Sequence, residues 1–330
     1  REVLDRIHRM GTVVALAGQV GGAKLAEGLQ RLRGRDLAVI VNTGDDYQHL
    51  GLAFSPDLDT MLYVLADIAD AGAAWEPKSE TRAVQAMVKA LGGPDRPMLG
   101  DRSLAAPLLR TEGLAAGRRL TEVTLDFCRS LGIEARILPM SDDAVRTHVV
   151  TTEGTLSFHE YFHELACGPE VRSFQYMGAE DARLSDEVLD ALHAADLEAV
   201  VLCPGNPYHS LRPILEVGGM KELLRRNGAP VIAVTPIVGG KGPKGSAAKM
   251  MRELGREPSP RSVAGEYLRL IDGFVIDRQD DETAESVRSL GMEVLSTQTV
   301  MRTAEDRVAL ARAVLEFAGM IREKRAEEVE

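Results

Sequence analysis

Two stretches early in the chain hold residues suited to phosphate chemistry. NTGDDYQHLGL (42–52) and SPDLDT (55–60) place Asp45, Asp46, Asp57 and Asp59 within fifteen residues. Carboxylates this close repel one another, so such a group either surrounds a cation or lies on a solvated rim. Hard oxygen ligands favour magnesium. Upstream, GQVGGAK (18–24) supplies glycines that let the backbone approach an anion, ahead of a helix whose N-terminus favours a phosphate. The stretch is not G-x-G-x-x-G. Nor is it a P-loop, because Lys24 follows Ala23 and precedes Leu25 rather than Ser or Thr. A tight turn without a ligand is the competing reading of the glycines. Helix capping ahead of LDTMLYVL accounts for one of Asp57 and Asp59, but not for four carboxylates.

Further loops add candidates. LGDRSLA (99–105) carries Asp101 and Arg102, and PMSDD (139–143) another acidic pair. CPGNPYHSLRPIL (203–215) and TPIVGGKGPKG (235–245) are Gly/Pro-rich turns at strand ends. HEYFH (159–163) matches the zinc-protease pattern H-E-x-x-H, which needs a helix to make its two histidines neighbours. The pattern of HVVTTEGTLSFHEYF (148–162) predicts a hairpin instead, with His159 and His163 on a strand. They would then stand about 13 Å apart, at roughly 3.3 Å per residue. No zinc site is expected there, and the two histidines read as polar residues on an exposed or cleft-lining face.

The elements that must position these groups follow from composition and periodicity. The 330 residues are 45% hydrophobic, 27% charged and only 4% aromatic, which suits helices packed on a parallel sheet. Strands are predicted at TVVALAG (12–18), LAVIVNTG (37–44), EARILPM (134–140), EAVVLCPG (198–205), APVIAVTP (229–236), GFVIDR (273–278) and MEVLST (292–297). Helical patterns such as AKLAEGLQRL (23–32) alternate with them, and AEDRVALARAVLEFAGMI covers the end. That rhythm predicts an α/β fold, a Rossmann-like doubly wound and mostly parallel sheet. Residues 58–130 read as helices with Gly and Pro connections. They are expected to form a helical subdomain inserted into a nucleotide-binding domain of residues 1–57 and 131–330.

Composition also excludes classes. A net charge of −11 leaves no bulk attraction to nucleic acid or anionic lipid. Three widely spaced cysteines, Cys128, Cys167 and Cys203, make neither a disulfide framework nor a structural zinc site. The opening REVLDRIHRMGTVVALAG is not expected to be a signal peptide, because a glycine turn and an amphipathic helix follow it directly. No apolar run approaches the roughly 20 residues of a membrane span, and a cytoplasmic location is expected.

Taken in order, NTGDD with HLGL, PDLDT, GDRSLA with LLRT, PMSDD with FHEYF, NPYHSLRPIL, and TPIVGG before KGSAAKMM resemble the 2-phospho-L-lactate transferases of deazaflavin coenzyme F-420 biosynthesis. The likeness runs from about residue 12 to 315. It implies a three-carbon phospho-acid, activated as its guanosine-diphosphate derivative, as donor and the deazaflavin Fo as acceptor. The acceptor's ribityl hydroxyl attacks the phosphorus that bears the acid, and GMP leaves. The likeness also implies magnesium. A homodimer is the expected assembly.

Carried over by motif, Asp59 is the catalytic acidic residue at the metal and the acceptor hydroxyl, with Asp57 and Asp45 sharing the metal. Arg102 and Asp101 lie with Asp59 at the deazaflavin. Gly18, Gly21, Gly22, Lys24, Asn42, Thr43, Asn206 and Ser210 line the nucleotide. Three departures stand out: Gln19 where a second glycine is usual, CPGNP where a serine commonly precedes Asn206, and Ser246 where a proline is usual. The segment ahead of Met10 has no family counterpart and reads as an extension. A nucleotide-sugar-binding regulator of the same superfamily is the rival reading. A nicotinamide oxidoreductase is a distant third, because the second strand ends in Asn42 and not an acid. Phospholactate, phosphoenolpyruvate and 3-phosphoglycerate are not distinguished, although His148 and Cys167 are candidates for sensing the difference.

Overall fold

A computed structural model describes residues 11–240 and 246–328. The segment ahead of Met10 and part of the glycine-rich turn at 235–245 lie outside them.

Seven parallel strands form the central sheet: β1 (Thr12–Ala17), β2 (Leu37–Val41), β5 (Arg136–Pro139), β9 (Leu197–Leu202), β10 (Val231–Val234), β11 (Gly273–Asp277) and β12 (Glu293–Thr297). All seven were expected from the sequence. Their order is β12-β11-β10-β9-β1-β2-β5. Runs such as VVALA and LAVIV form strands because both faces are buried and β-branched side chains fit a pleated surface. Alternate residues feed two cores. Val13, Ala15 and Val39 pack with Leu25, Leu29 and Val314 on one side. Val14, Leu16 and Ile40 pack with Ile214, Met250 and Val188 on the other.

From β1 the chain runs outward through β2 to β5, then returns to β9, beside β1 on its other side. That reversal is the topological switch point, where loops leave the carboxyl ends of two neighbouring strands in opposite directions and open a crevice. The loops are those of Gly18 and of Cys203–Gly205.

Within 58–130 the helices are the rest of α2 (Pro56–Leu65), then α3 (Ala83–Ala90), α4 (Ala105–Ala115) and α5 (Leu120–Ser130); α1 is Gln19–Arg33. Since α2 starts at Pro56, residue 58 falls inside it. Its Leu58, Met61 and Leu62 belong to the same core as α1.

Two small antiparallel units flank the sheet, of which the first was not expected. The first is the hairpin β3 (Tyr47–His49) and β4 (Leu52–Phe54). Its turn has positive φ at both Leu50 (50°) and Gly51 (77°), the pattern of a type I′ turn. Leucine does not announce such a turn in a sequence. The other is a three-stranded sheet of β6 (Arg146–Thr151), β7 (Gly154–Ser157) and β8 (Val171–Met177), in which the expected hairpin β6–β7 is joined by β8. Among the described residues no helix is long and apolar enough to cross a membrane.

Candidate active site

The crevice is tightly built. A Cβ on Gly21 would lie 2.6 Å from the Pro204 carbonyl oxygen, and one on Gly18 would lie 2.7 Å from an Asp57 oxygen and 3.0 Å from the Ser210 Cβ. These glycines let the β1 loop, the β9 loop and the start of α2 meet. The next residue, Gln19, has φ 56°, a left-handed conformation that glycine adopts without strain. The departure from glycine here therefore carries a backbone cost.

The four carboxylates separate into two pairs. In the first, an Asp57 oxygen accepts from Asn42 Nδ2 at 2.9 Å, while Asp45 Oδ2 lies 3.2 Å from His209 Nδ1. Asn42 is fixed in turn by donating to the His209 carbonyl (3.1 Å) and accepting from Gly44 N–H (2.8 Å). Burial, reinforced by the charge of Asp45, pushes the Asp57 carboxyl up to about 7. Burial also raises Asp45 well above the usual carboxylate range, and it holds the His209 ring neutral, down at about 4. In the second pair, Asp46 accepts from Ser55 Oγ at 2.8 Å and is pushed up to about 8 by burial. Its neighbour Asp59 is held by the buried guanidinium of Arg110. The expected metal ligands Asp45, Asp57 and Asp59 are thus divided between the pairs. Among the described residues no three acidic, histidine or cysteine side chains group as a metal site.

A magnesium ion nonetheless fits the first pair. One oxygen of Asp45 and the hydroxyls of Thr43 and Ser210 are buried there without a hydrogen-bond partner, as is one oxygen of Asp46 in the second pair. Buried polar atoms are rarely left so, and an absent ligand is one explanation. Magnesium commonly takes one or two carboxylates and fills its other positions with phosphate oxygens and water.

The segment after β7 overturns an expectation. Glu160–Glu164 is a π-helical turn, not a strand. Its cause is local: Ser157 N–H donates to the Glu160 carboxylate (2.8 Å) and Glu160 N–H donates back to Ser157 Oγ (3.2 Å), a reciprocal cap that starts a helix. The S-x-x-E signal was legible in SFHE. The rings of His159 and His163 are consequently 5.0 Å apart, and the distance argument against a shared ligand fails. What the structure shows there is stacking: His159 on Tyr47 at 3.7 Å and Phe158 on His209 at 4.2 Å. Phe158, just ahead of the π-helical turn, thus packs on the histidine that meets Asp45.

The remaining candidates are placed unevenly. Ser210 and Thr43 are buried in the crevice. Asn206 uses its side chain within the fold, accepting from Tyr208 N–H at 2.9 Å. Lys24 reaches the Met301 carbonyl (3.5 Å), beyond β12, and Gly22 packs on Ala17. Asp101 caps α3, accepting from the N–H groups of Ala83 (3.0 Å) and Val84 (2.8 Å). Arg102 is exposed, on a loop whose Ser103 side chain meets Tyr63, one turn past Asp59 on α2. His148 is half-buried on β6 with an unpartnered Nδ1. Cys167, with φ 58°, lies three residues past the π-helical segment, and burial raises its thiol. Sequence reading assigned no role to Arg110 or His209, although both lie inside quoted motifs, LLRT and NPYHS.

The family model of 2-phospho-L-lactate transferase CofD matches residues 13–313. A phosphoenolpyruvate transferase from Streptomyces griseus is 37% identical over 94% of this chain and 99% of its own. A 2-phospho-L-lactate transferase from Methanocaldococcus jannaschii is 35% identical over 94% and 99%. Among solved structures, a UPF0052-family protein from Bacillus halodurans matches the fold with TM-score 0.61 at 15% identity, covering 93% of this chain and 99% of that one.

Proposed function

The chain belongs to the 2-phospho-L-lactate transferase CofD family, and from that premise we propose that it transfers a phospho-three-carbon-acid group from its guanosine-diphosphate-activated form to the ribityl hydroxyl of Fo, releasing GMP. One observation carries the reading. Two buried carboxylate pairs with unpartnered oxygens lie at the switch point of the sheet, beside a glycine loop.

In the proposed reaction the hydroxyl oxygen attacks the phosphorus that bears the acid. The bond from that phosphorus to the oxygen bridging to the GMP phosphate breaks, and a phosphodiester results. Asp59 accepts the hydroxyl proton. Both its oxygens face Arg110, which leaves it poorly suited to chelate a metal and free to meet the hydroxyl at its remaining lone pairs. Asp45 and Asp57 would hold magnesium, which when bound neutralises charge on the phosphate oxygens. Asn42 fixes Asp57, and the neutral His209 ring fixes Asp45. The crevice residues Gly18, Gly21, Thr43 and Ser210 bind the nucleotide phosphates, and the Arg102 loop meets the acceptor. Such a transfer depends on positioning and charge neutralisation and needs no covalent intermediate.

Relatives named for phospholactate and for phosphoenolpyruvate are about equally similar to this chain, so the donor acid is part of the test. Purified protein with magnesium and Fo is given the guanylylated forms of phospholactate, phosphoenolpyruvate and 3-phosphoglycerate. GMP release with a matching phosphodiester mass from one of them is expected. No product from any of the three, with melting raised by a nucleotide sugar instead, would favour a regulatory binding protein. The assembly proposed is a homodimer, read by light scattering.

A further inference from the structure

The LLRT stretch contains the largest fully buried side chain of the described protein. Arg110 is 1% exposed. Burying a guanidinium carries a desolvation penalty of several kcal/mol, and a buried ion pair is often no more stable than an apolar pair of the same shape. Retaining the charge therefore points away from stability. The two terminal nitrogens of the guanidinium are bonded while Nε is buried without a partner. Nη2 donates to one oxygen of Asp59, and Nη1 lies 3.3 Å from the other and 3.2 Å from the Ala53 carbonyl.

The neighbouring residue completes the arrangement. Thr111 Oγ1 accepts from the Ala53 N–H at 2.8 Å and donates to the Pro107 carbonyl at 2.6 Å. Consecutive residues of α4 thus take both main-chain groups of Ala53, in the middle of β4. Phe54 of β4 pairs with Tyr47 of β3, the residue on which His159 stacks. One helix face connects Asp59, the hairpin and the π-helical turn.

We propose that Arg110 is a positioning residue for the transfer: its fork fixes the plane of the Asp59 carboxylate against the reacting hydroxyl, while Thr111 locks the same helix to β4. The inference rests on the reading of Asp59 as the proton acceptor. A carboxylate gripped at both oxygens cannot rotate about its Cβ–Cγ bond, so the same lone pairs meet the hydroxyl at each turnover. Lysine supplies the charge from a single point and leaves that rotation free.

Arg110→Lys, Arg110→Ala and Asp59→Asn are made in the whole protein and assayed for transfer to Fo, with GDP binding measured by calorimetry. Arg110→Lys is expected to lower kcat about a hundredfold, the scale of an ångström-level misplacement. KM for Fo and GDP affinity stay at the wild-type values. Millimolar guanidinium ion, well below denaturing levels, should restore part of kcat to Arg110→Ala, and ammonium should not. A wild-type kcat in Arg110→Lys, with Asp59→Asn inactive, overturns the inference and leaves the proposed function standing. So does a loss shared equally by kcat, GDP affinity and melting temperature, with no guanidinium rescue. Full activity in Asp59→Asn would instead refute the role of Asp59, and the inference would fall with it.

Discussion

At the amino ends of the strands, charges are paired and partly hydrated. Arg325 bonds Asp272, Lys324 bonds Glu293, and Arg33 reaches both oxygens of Glu198 at 2.9 Å. Asp272 also accepts from Val231 N–H at 2.8 Å, tying down the start of β10. Two shallow grooves of about 450 Å³ lie there, lined by residues such as Arg225, Asp272, Arg288 and Arg325. At the carboxyl ends the charges are handled differently. Asp45, Asp57 and Asp59 are buried and Asp46 is half-buried, and one oxygen each of Asp45 and Asp46 has no partner. Paired, wet charges hold strand ends together; buried and incompletely satisfied ones are kept for something that binds.

The strongest way to break this comparison is one conservative change at each end. Asp59→Asn should lower kcat about a thousandfold, within the range of general-base catalysis, with the fold intact by circular dichroism. Asp272→Asn should leave kcat alone and cost at most about 1 kcal/mol of stability, as expected of a half-exposed pair. Comparable activity losses from the two would erase the distinction.

Removing the cation comes next. Excess chelator should abolish turnover and magnesium restore it. The ligand-free protein should also melt lower as pH rises from 6 to 8. Asp46 and Asp57 titrate at about 8 and 7 in the fold, against about 4 when unfolded. The folded state thus binds more protons across that window, and their stabilisation is complete below about pH 4 and lost as pH climbs through 7 to 8. Magnesium should therefore raise the melting temperature more at pH 8 than at pH 6. A pH-independent melt that ignores magnesium would contradict the burial of these groups.

Arg102→Ala tests the acceptor side. About a tenfold rise in KM for Fo, the worth of one charge-assisted hydrogen bond, is expected with GDP affinity unchanged. Equal losses for both ligands, with lower melting, would make Arg102 a structural residue.

The smallest effects belong to the HEYFH turn. Elemental analysis should find no stoichiometric zinc; one zinc per chain, lost in a His159→Ala, His163→Ala double variant, would reverse that expectation. His163 is held neutral by burial, down at about 4. Its contribution to stability is complete above the unfolded value near 6.5 and lost as pH falls toward 4. His163→Phe should raise the melting temperature at pH 4.5 relative to that at pH 7, compared with the same difference in the wild type.

The sequence by itself determined the seven parallel strands, the glycine loop and the carboxylates at one edge, because strand periodicity, turn residues and clustering are local properties. Ser157 and Glu160 were equally local, and their helix start was missed only because the hairpin pattern ran into it. The tertiary structure alone decided that Arg110 meets Asp59 across 51 positions and His209 meets Asp45 across 164. It also decided that four neighbouring aspartates become two pairs of different chemistry. No spacing in a chain encodes which side chains a packed core will bring together. That depends on how α4 and the β9 loop dock, which is settled by the burial of surfaces far from the aspartates themselves.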